Sequence, residues 1–190
     1  SKRRKSPYRN CPRPFPKRKG KASLTSSEPV VLEKLPRAEL ENVAAGLARL
    51  AKPCDVIALY GDLGAGKTVF ARAFIRALTN GDEDVPSPTF TLVQTYDAPT
   101  GVTIWHFDLY RLKSAQEIYE IGFEEALEDG VSLIEWPQRA ERLLPRNRLE
   151  IDIQIPPDDP DVRTVTLTAR GGDWQNRTEK LNRCRNAQNA

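Results

Sequence analysis

The chain has 190 residues, 39% of them hydrophobic, and a formal net charge of +3. That length accommodates one domain with tails. No run approaches the ~18 consecutive apolar residues of a membrane span, so a protein without membrane attachment, working in the cytoplasm, is expected. The cysteines Cys11, Cys54 and Cys184 are far apart and odd in number. They have no metal-ligand spacing, and a disulfide framework is not expected. The small net charge hides an asymmetry. Residues 1–21 hold ten Lys/Arg and no acid, whereas residues 22–169 carry a net −10.

Residues 1–28 interleave Lys and Arg with Pro7, Pro12, Pro14 and Pro16. They offer almost nothing apolar to bury, so a disordered basic extension is expected. Its charge suits weak contact with RNA phosphates, but composition alone identifies no partner. The folded domain is placed at 29–169. Val30 to Leu32 reads as a short strand, and Pro36 suits the first turn of a helix with Leu40, Val43, Ala44, Leu47 and Leu50 on one face. Val56 to Tyr60 is an apolar run of the buried-strand type. A helix follows from Lys67 to about Leu78, with Phe70, Phe74, Ile75 and Leu78 inward, and Asn80-Gly81-Asp82 ends it. Thr91 to Tyr96 and Val102 to Phe107 read as strands around a turn at 97–101. Residues 114–128 look helical, Val131 to Glu135 is another buried strand, and Arg139 to Leu144 a short helix. Leu149 to Ile155 and Val162 to Thr168 alternate as a closing antiparallel pair. Residues 170–190 are read as a flexible tail. Strands and helices alternate, so the fold class is α/β: a three-layer sandwich of the P-loop NTPase type with a largely parallel central sheet.

The pattern G-x-x-x-x-G-K-[ST] is met by Gly61, Gly66, Lys67 and Thr68. Glycines allow positive φ and let backbone amides converge on phosphate oxygens. The helix that follows presents its positive end to the anion. Lys67 is a mobile charge for the β- and γ-phosphates, and Thr68 supplies a hydroxyl to Mg²⁺. Asp108 and Glu135 end predicted strands, where ligands bind in open α/β sheets. Either could hold Mg²⁺, directly or through water, while the other positions an attacking water. Thr89, on a loop stiffened by Pro86 and Pro88, is a candidate γ-phosphate sensor. His106, the sole histidine, fits a buried supporting role better than that of a base. Trp136 is read as packing without chemistry.

Together, Gly61 to Thr68, Ser87-Pro88-Thr89-Phe90-Thr91-Leu92-Val93, His106-Phe107-Asp108-Leu109-Tyr110-Arg111 and Glu135-Trp136-Pro137 resemble the TsaE (YjeE) family over about residues 30–168. That resemblance implies a small P-loop ATPase of bacterial tRNA threonylcarbamoyladenosine (t6A) synthesis. Its partners would be TsaB and TsaD, which modify adenosine 37 of tRNAs reading codons that begin with A, and its contact with tRNA would be indirect. It further implies that Gly64, Ala65, Gly66, Lys67, Thr68 and Val69 wrap the phosphates of ATP, and that Thr68 and Glu135 hold Mg²⁺. Asp108 would serve hydrolysis, and adenine would lie near Pro36 to Leu40 and the closing strands. Three other readings fare worse. A small-molecule kinase needs an arginine-rich lid, yet only Arg111 and Lys113 stand between Asp108 and Glu135. A GTP switch would need an Asn-Lys-x-Asp motif, which is absent. An RNA-binding module conflicts with the acidic body.

Overall fold

The computed structural model describes residues 28–79, 81, 83–114, 116–171 and 173–179. Seven strands form one sheet in the order β1-β7-β6-β2-β5-β4-β3. They are β1 (Val30–Pro36), β2 (Val56–Tyr60), β3 (Val93–Asp97), β4 (Thr103–Asp108), β5 (Val131–Glu135), β6 (Arg148–Gln154) and β7 (Val162–Arg170). The four central strands β6, β2, β5 and β4 run parallel. The flanks are antiparallel: β6 pairs with β7 as expected, β7 with β1, and β4 with β3.

Helices cover both faces and give the three layers. On one side, α1 (Arg37–Ala48) and α2 (Lys67–Leu78) bury Leu40, Leu47, Phe70 and Phe74 against Ile57, Leu59, Ile151 and Val165. On the other, α3 (Glu117–Glu120) and α4 (Phe123–Asp129) close Ile118, Phe123 and Leu127 over Val56, Phe107 and Ile134. Inward-facing apolar residues on both sheet faces explain why β2 and β5 read as continuous apolar runs.

Several boundaries differ from the sequence reading. The single helix expected over 114–128 is two short helices, broken at Gly122 with φ +80°. A Cβ there would lie 2.9 Å from the Trp105 ring, so close packing selects glycine, and glycine ends the helix. The strand expected from Thr91 begins at Val93, because Leu92 takes φ +64° and donates its N–H to the Pro88 carbonyl at 2.7 Å. The helix expected over Arg139 to Leu144 is a 3₁₀ segment, Pro137–Leu143, interrupted at Ala140. Pro36 precedes α1 as its N-cap instead of lying in its first turn. Cys54 Sγ lies 3.3 Å from the Glu128 carbonyl oxygen; Cys11 and Cys184 lie outside the described residues.

The basic extension expected over 1–28 lies, apart from Glu28, outside the described residues, as does 180–190. The flexible tail expected from 170 is corrected where it is described. Strand β7 runs to Arg170, and residues 173–179 are helical. Trp174 is fully buried in the larger core cluster. Arg177 makes a two-pronged ion pair with Asp55, Nη1 to Oδ2 at 2.5 Å and Nη2 to Oδ1 at 2.7 Å. Asp55, just before β2, also accepts the Lys52 N–H at 2.7 Å. The reading of a basic tail missed that Trp174 and Arg177 lie three apart, on one side of a helical turn.

Removing one member of a buried ion pair leaves the other charged and unpaired. Arg177→Met is therefore expected to lower unfolding free energy by about 3 kcal/mol, measured by urea denaturation. A loss below about 1 kcal/mol would mean that the C-terminal helix adds little to the domain.

Candidate functional site

The site is built where parallel strands end. β2 delivers Gly61, β5 delivers Glu135 and β4 delivers Asp108, with Asp108 opposite Glu135 in register. The loop after β2 must turn sharply into α2, and its glycines make that possible. Gly61 has φ +132°, and a Cβ there would sit 2.3 Å from the Ile153 carbonyl oxygen of β6. Gly66, the N-cap of α2, has φ +115° and packs on Leu40 of α1. The first amides of an α-helix have no intrahelical acceptor. The α2 ladder is entered where Phe70 N–H reaches Gly66 O at 2.9 Å. The N-terminal turn formed by Gly66, Lys67, Thr68 and Val69 is thus a ready anion site. Gly64 (φ +80°) and Ala65 complete the loop.

Lys67 is 5% exposed and folded back on its own loop. Its ammonium donates to the carbonyls of Gly61 at 2.7 Å and Asp62 at 2.8 Å, and lies 3.9 Å from the centre of the Trp136 ring. Burial holds its pKa below the ordinary lysine range, while the carboxylates of Glu135, Asp108 and Asp62 oppose that shift. Trp136, read as packing without chemistry, packs against the ammonium of the loop lysine. Its own backbone has φ +58°, uncommon for a bulky residue, and its ring also meets Tyr110 at 4.9 Å.

Glu135 is 2% exposed and both its oxygens are engaged. Thr68 Oγ1 donates to Oε2 at 3.0 Å, and His106 Nε2 lies 2.8 Å from Oε1. Asp108, 3% exposed, faces the loop after α2: Oδ2 accepts from Thr89 Oγ1 at 2.7 Å, and Oδ1 from the Tyr110 N–H at 3.0 Å. Ser87 Oγ lies 2.7 Å from Thr89 Oγ1. The structure therefore brings Lys67, Thr68, Thr89, Asp108 and Glu135 together. It separates the two carboxylates by partner: Glu135 holds the loop threonine, and Asp108 holds the threonine of the following loop.

The donor set suits Mg²⁺. Thr68 and Glu135 offer hard oxygens, and adjacent ligands of an octahedron with bonds of ~2.0–2.1 Å lie about 3 Å apart, the separation found here. No group of three or more metal-ligating side chains occurs among the described residues, so other oxygens would have to complete the shell.

Sequence reasoning missed Arg163 of β7. Its Nε donates to the Ala65 carbonyl at 2.7 Å, and its Nη1 to the Pro160 and Val162 carbonyls at 2.7 Å each. It ties the phosphate loop to the β6–β7 hairpin, and no motif marks it. A cavity of about 380 Å³ lies beside the loop, lined among others by Trp136, Gln138, Asp152 and Gln154.

A sheet with a phosphate loop after a central strand, and acidic residues ending the two neighbouring strands on one side, defines a P-loop NTPase-type fold. The family model described as Threonylcarbamoyl adenosine biosynthesis protein TsaE matches residues 36–164, and the chain belongs to the TsaE family. The tRNA threonylcarbamoyladenosine biosynthesis protein TsaE of Rickettsia bellii is 44% identical over 128 residues, covering 67% of this chain and 88% of its own. The protein of that name from Bacillus subtilis is 38% identical over 152 residues, covering 80% and 92%. The crystal structure of YdiB from Bacillus subtilis superposes with a TM-score of 0.65 at 32% identity, covering 86% of this chain and 98% of that one. No helix of the described residues is long and apolar enough to cross a membrane.

Because the Gly61 backbone is left-handed and pressed against a carbonyl oxygen, Gly61→Ala is expected to cost about 2–4 kcal/mol, read from urea unfolding. A change within about 0.5 kcal/mol, typical of an exposed surface site, would contradict the close approach to Ile153.

Proposed function

We propose that the chain is an ATP hydrolase serving tRNA t6A formation at adenosine 37, in tRNAs reading codons that begin with A. It works in the cytoplasm with TsaD and TsaB and meets tRNA through that complex, with its basic N-terminal residues adding weak RNA contact. The observation that carries the reading is the Lys67, Thr68 and Glu135 cluster at the start of α2, in a chain of the TsaE family.

Loop amides from Gly64 to Val69 receive the phosphates of ATP. Lys67 leaves the Gly61 and Asp62 carbonyls and places its charge on the β- and γ-phosphates. Thr68 and Glu135 would hold Mg²⁺, which when bound neutralises charge developing on the phosphates. Asp108 holds the attacking water and accepts its hydrogen bond. Thr89, released from or returned to Asp108 according to whether a γ-phosphate is present, couples the nucleotide state to its loop. The exposed Phe90 beside it carries that change to the surface. Hydrolysis resets the t6A-forming complex between turnovers, so the energy does not enter the tRNA chemistry.

The test is multiple-turnover t6A formation with purified TsaB, TsaD and a carbamoyl-adenylate synthase. Lys67→Ala and Glu135→Ala are expected to reduce ATP hydrolysis on the order of 100-fold, as for loss of one preorganised electrostatic contact, and to stop t6A formation after the first turnover. Wild-type turnover numbers from either variant would refute the reading.

A further inference from the structure

His106 is the only histidine in the chain, and its side chain is fully buried within β4. Two residues further along that strand stands Asp108, and β5 runs alongside with Glu135 at its end. Among the described residues the imidazole makes one polar contact, Nε2 to Glu135 Oε1 at 2.8 Å. Its Nδ1 is buried and has no hydrogen-bond partner among the described residues. An ionised carboxylate can only accept, so Nε2 carries the hydrogen of this bond. Burying an imidazole in an apolar strand is unfavourable unless a hydrogen bond compensates it, and the bond to Glu135 is the one that does so here.

A glutamate carboxylate turns about a terminal torsion with a broad, two-fold profile. One hydrogen bond, from Thr68 to Oε2, leaves its plane poorly defined. The second bond, on the opposite oxygen, fixes both the plane and which oxygen faces α2. A cation bound between Thr68 and Glu135 would occupy the hydroxyl's lone pairs and turn its hydrogen elsewhere. The bond from His106 persists through that exchange, polarised by the cation on the same carboxylate.

We propose that His106 is a positioning residue for Glu135. It donates Nε2–H to Oε1 and so holds Oε2 at the Thr68 hydroxyl, where the divalent cation of the bound nucleotide is coordinated. The inference rests on the nucleotide–Mg²⁺ reading above. Full burial keeps the ring away from any attacking water, so its effect passes through Glu135 alone. Partners that orient a metal-binding carboxylate change metal affinity by about 10- to 100-fold when lost.

The experiment compares the full chain with His106→Gln, whose amide nitrogen reaches as far as Nε2, and His106→Asn, whose amide stops short. Binding of a non-hydrolysable ATP analogue is measured in EDTA and across a Mg²⁺ titration. Affinity in EDTA is expected to match wild type in both variants. The Mg²⁺ midpoint is expected to rise about tenfold or more in His106→Asn, and to return close to wild type in His106→Gln. A folded His106→Asn protein with a wild-type Mg²⁺ midpoint overturns the proposal, as does an equal shift in the two variants. Should neither variant fold, nitrogen-15 spectra of the single imidazole in wild type decide. A fixed Nε2–H tautomer that responds to Mg²⁺ and analogue supports the role; an Nδ1–H or unresponsive ring overturns it. A wild-type chain that binds no analogue under any condition sinks the nucleotide reading itself, a different outcome from normal analogue binding with an unmoved Mg²⁺ midpoint.

Discussion

Glu135 is the point on which the site depends. A buried carboxylate is tolerated only when its oxygens are satisfied, and here the two oxygens are met from two different elements, α2 through Thr68 and β4 through His106. The parallel pairing of β5 with both β2 and β4 makes this possible, because it brings three strand ends to one edge. The carboxylate thereby ties the start of the phosphate-loop helix to the strand that carries Asp108. The carboxylates of Glu135, Asp108 and Asp62 all act electrostatically on the ammonium of Lys67. A phosphate chain bound there would lie near those carboxylates, which is the electrostatic reason for proposing that it comes with a divalent cation.

The second constraint is steric. At Gly61 there is no room for a side chain against Ile153, and at Gly66 little room against Leu40. The loop is therefore clamped by β6 on one side and α1 on the other, with Arg163 of β7 adding a hydrogen bond to Ala65. Lys67, by contrast, rests on carbonyl oxygens of its own loop, a contact that exists before any ligand and that a phosphate can replace. The backbone of the loop is held by the sheet and its packing, whereas the lysine head rests only on carbonyl oxygens.

Much of this was legible in the sequence, for identifiable reasons. The phosphate loop is written in glycines at fixed spacing next to Lys67 and Thr68, and the buried strands β2 and β5 are written as apolar runs ending in Tyr60 and Glu135. The pairing of Glu135 with Thr68 came only from the family resemblance, and that of Asp108 with Thr89 was not legible, since spacing along the chain says nothing about which strand end faces which loop. Arg163 was hidden because one arginine in an alternating strand looks like an ordinary solvent-facing residue. The break at Gly122 depends on the Trp105 ring, which is distant in sequence. The helix over 173–179 was hidden for a related reason: Arg177 counted as one more basic residue of a charged tail, whereas its buried partner Asp55 lies more than a hundred residues earlier.

The central claim is that Thr68 and Glu135 form the cation-binding edge of a nucleotide site and that Lys67 changes partners when the nucleotide binds. A crystal structure with a non-hydrolysable ATP analogue and Mg²⁺ tests it most directly. The account predicts metal–oxygen distances of ~2.0–2.1 Å to Thr68 and Glu135, with the Lys67 ammonium moved from the Gly61 and Asp62 carbonyls onto the phosphates. A metal held elsewhere, with Lys67 still bound to those two carbonyls, would contradict it.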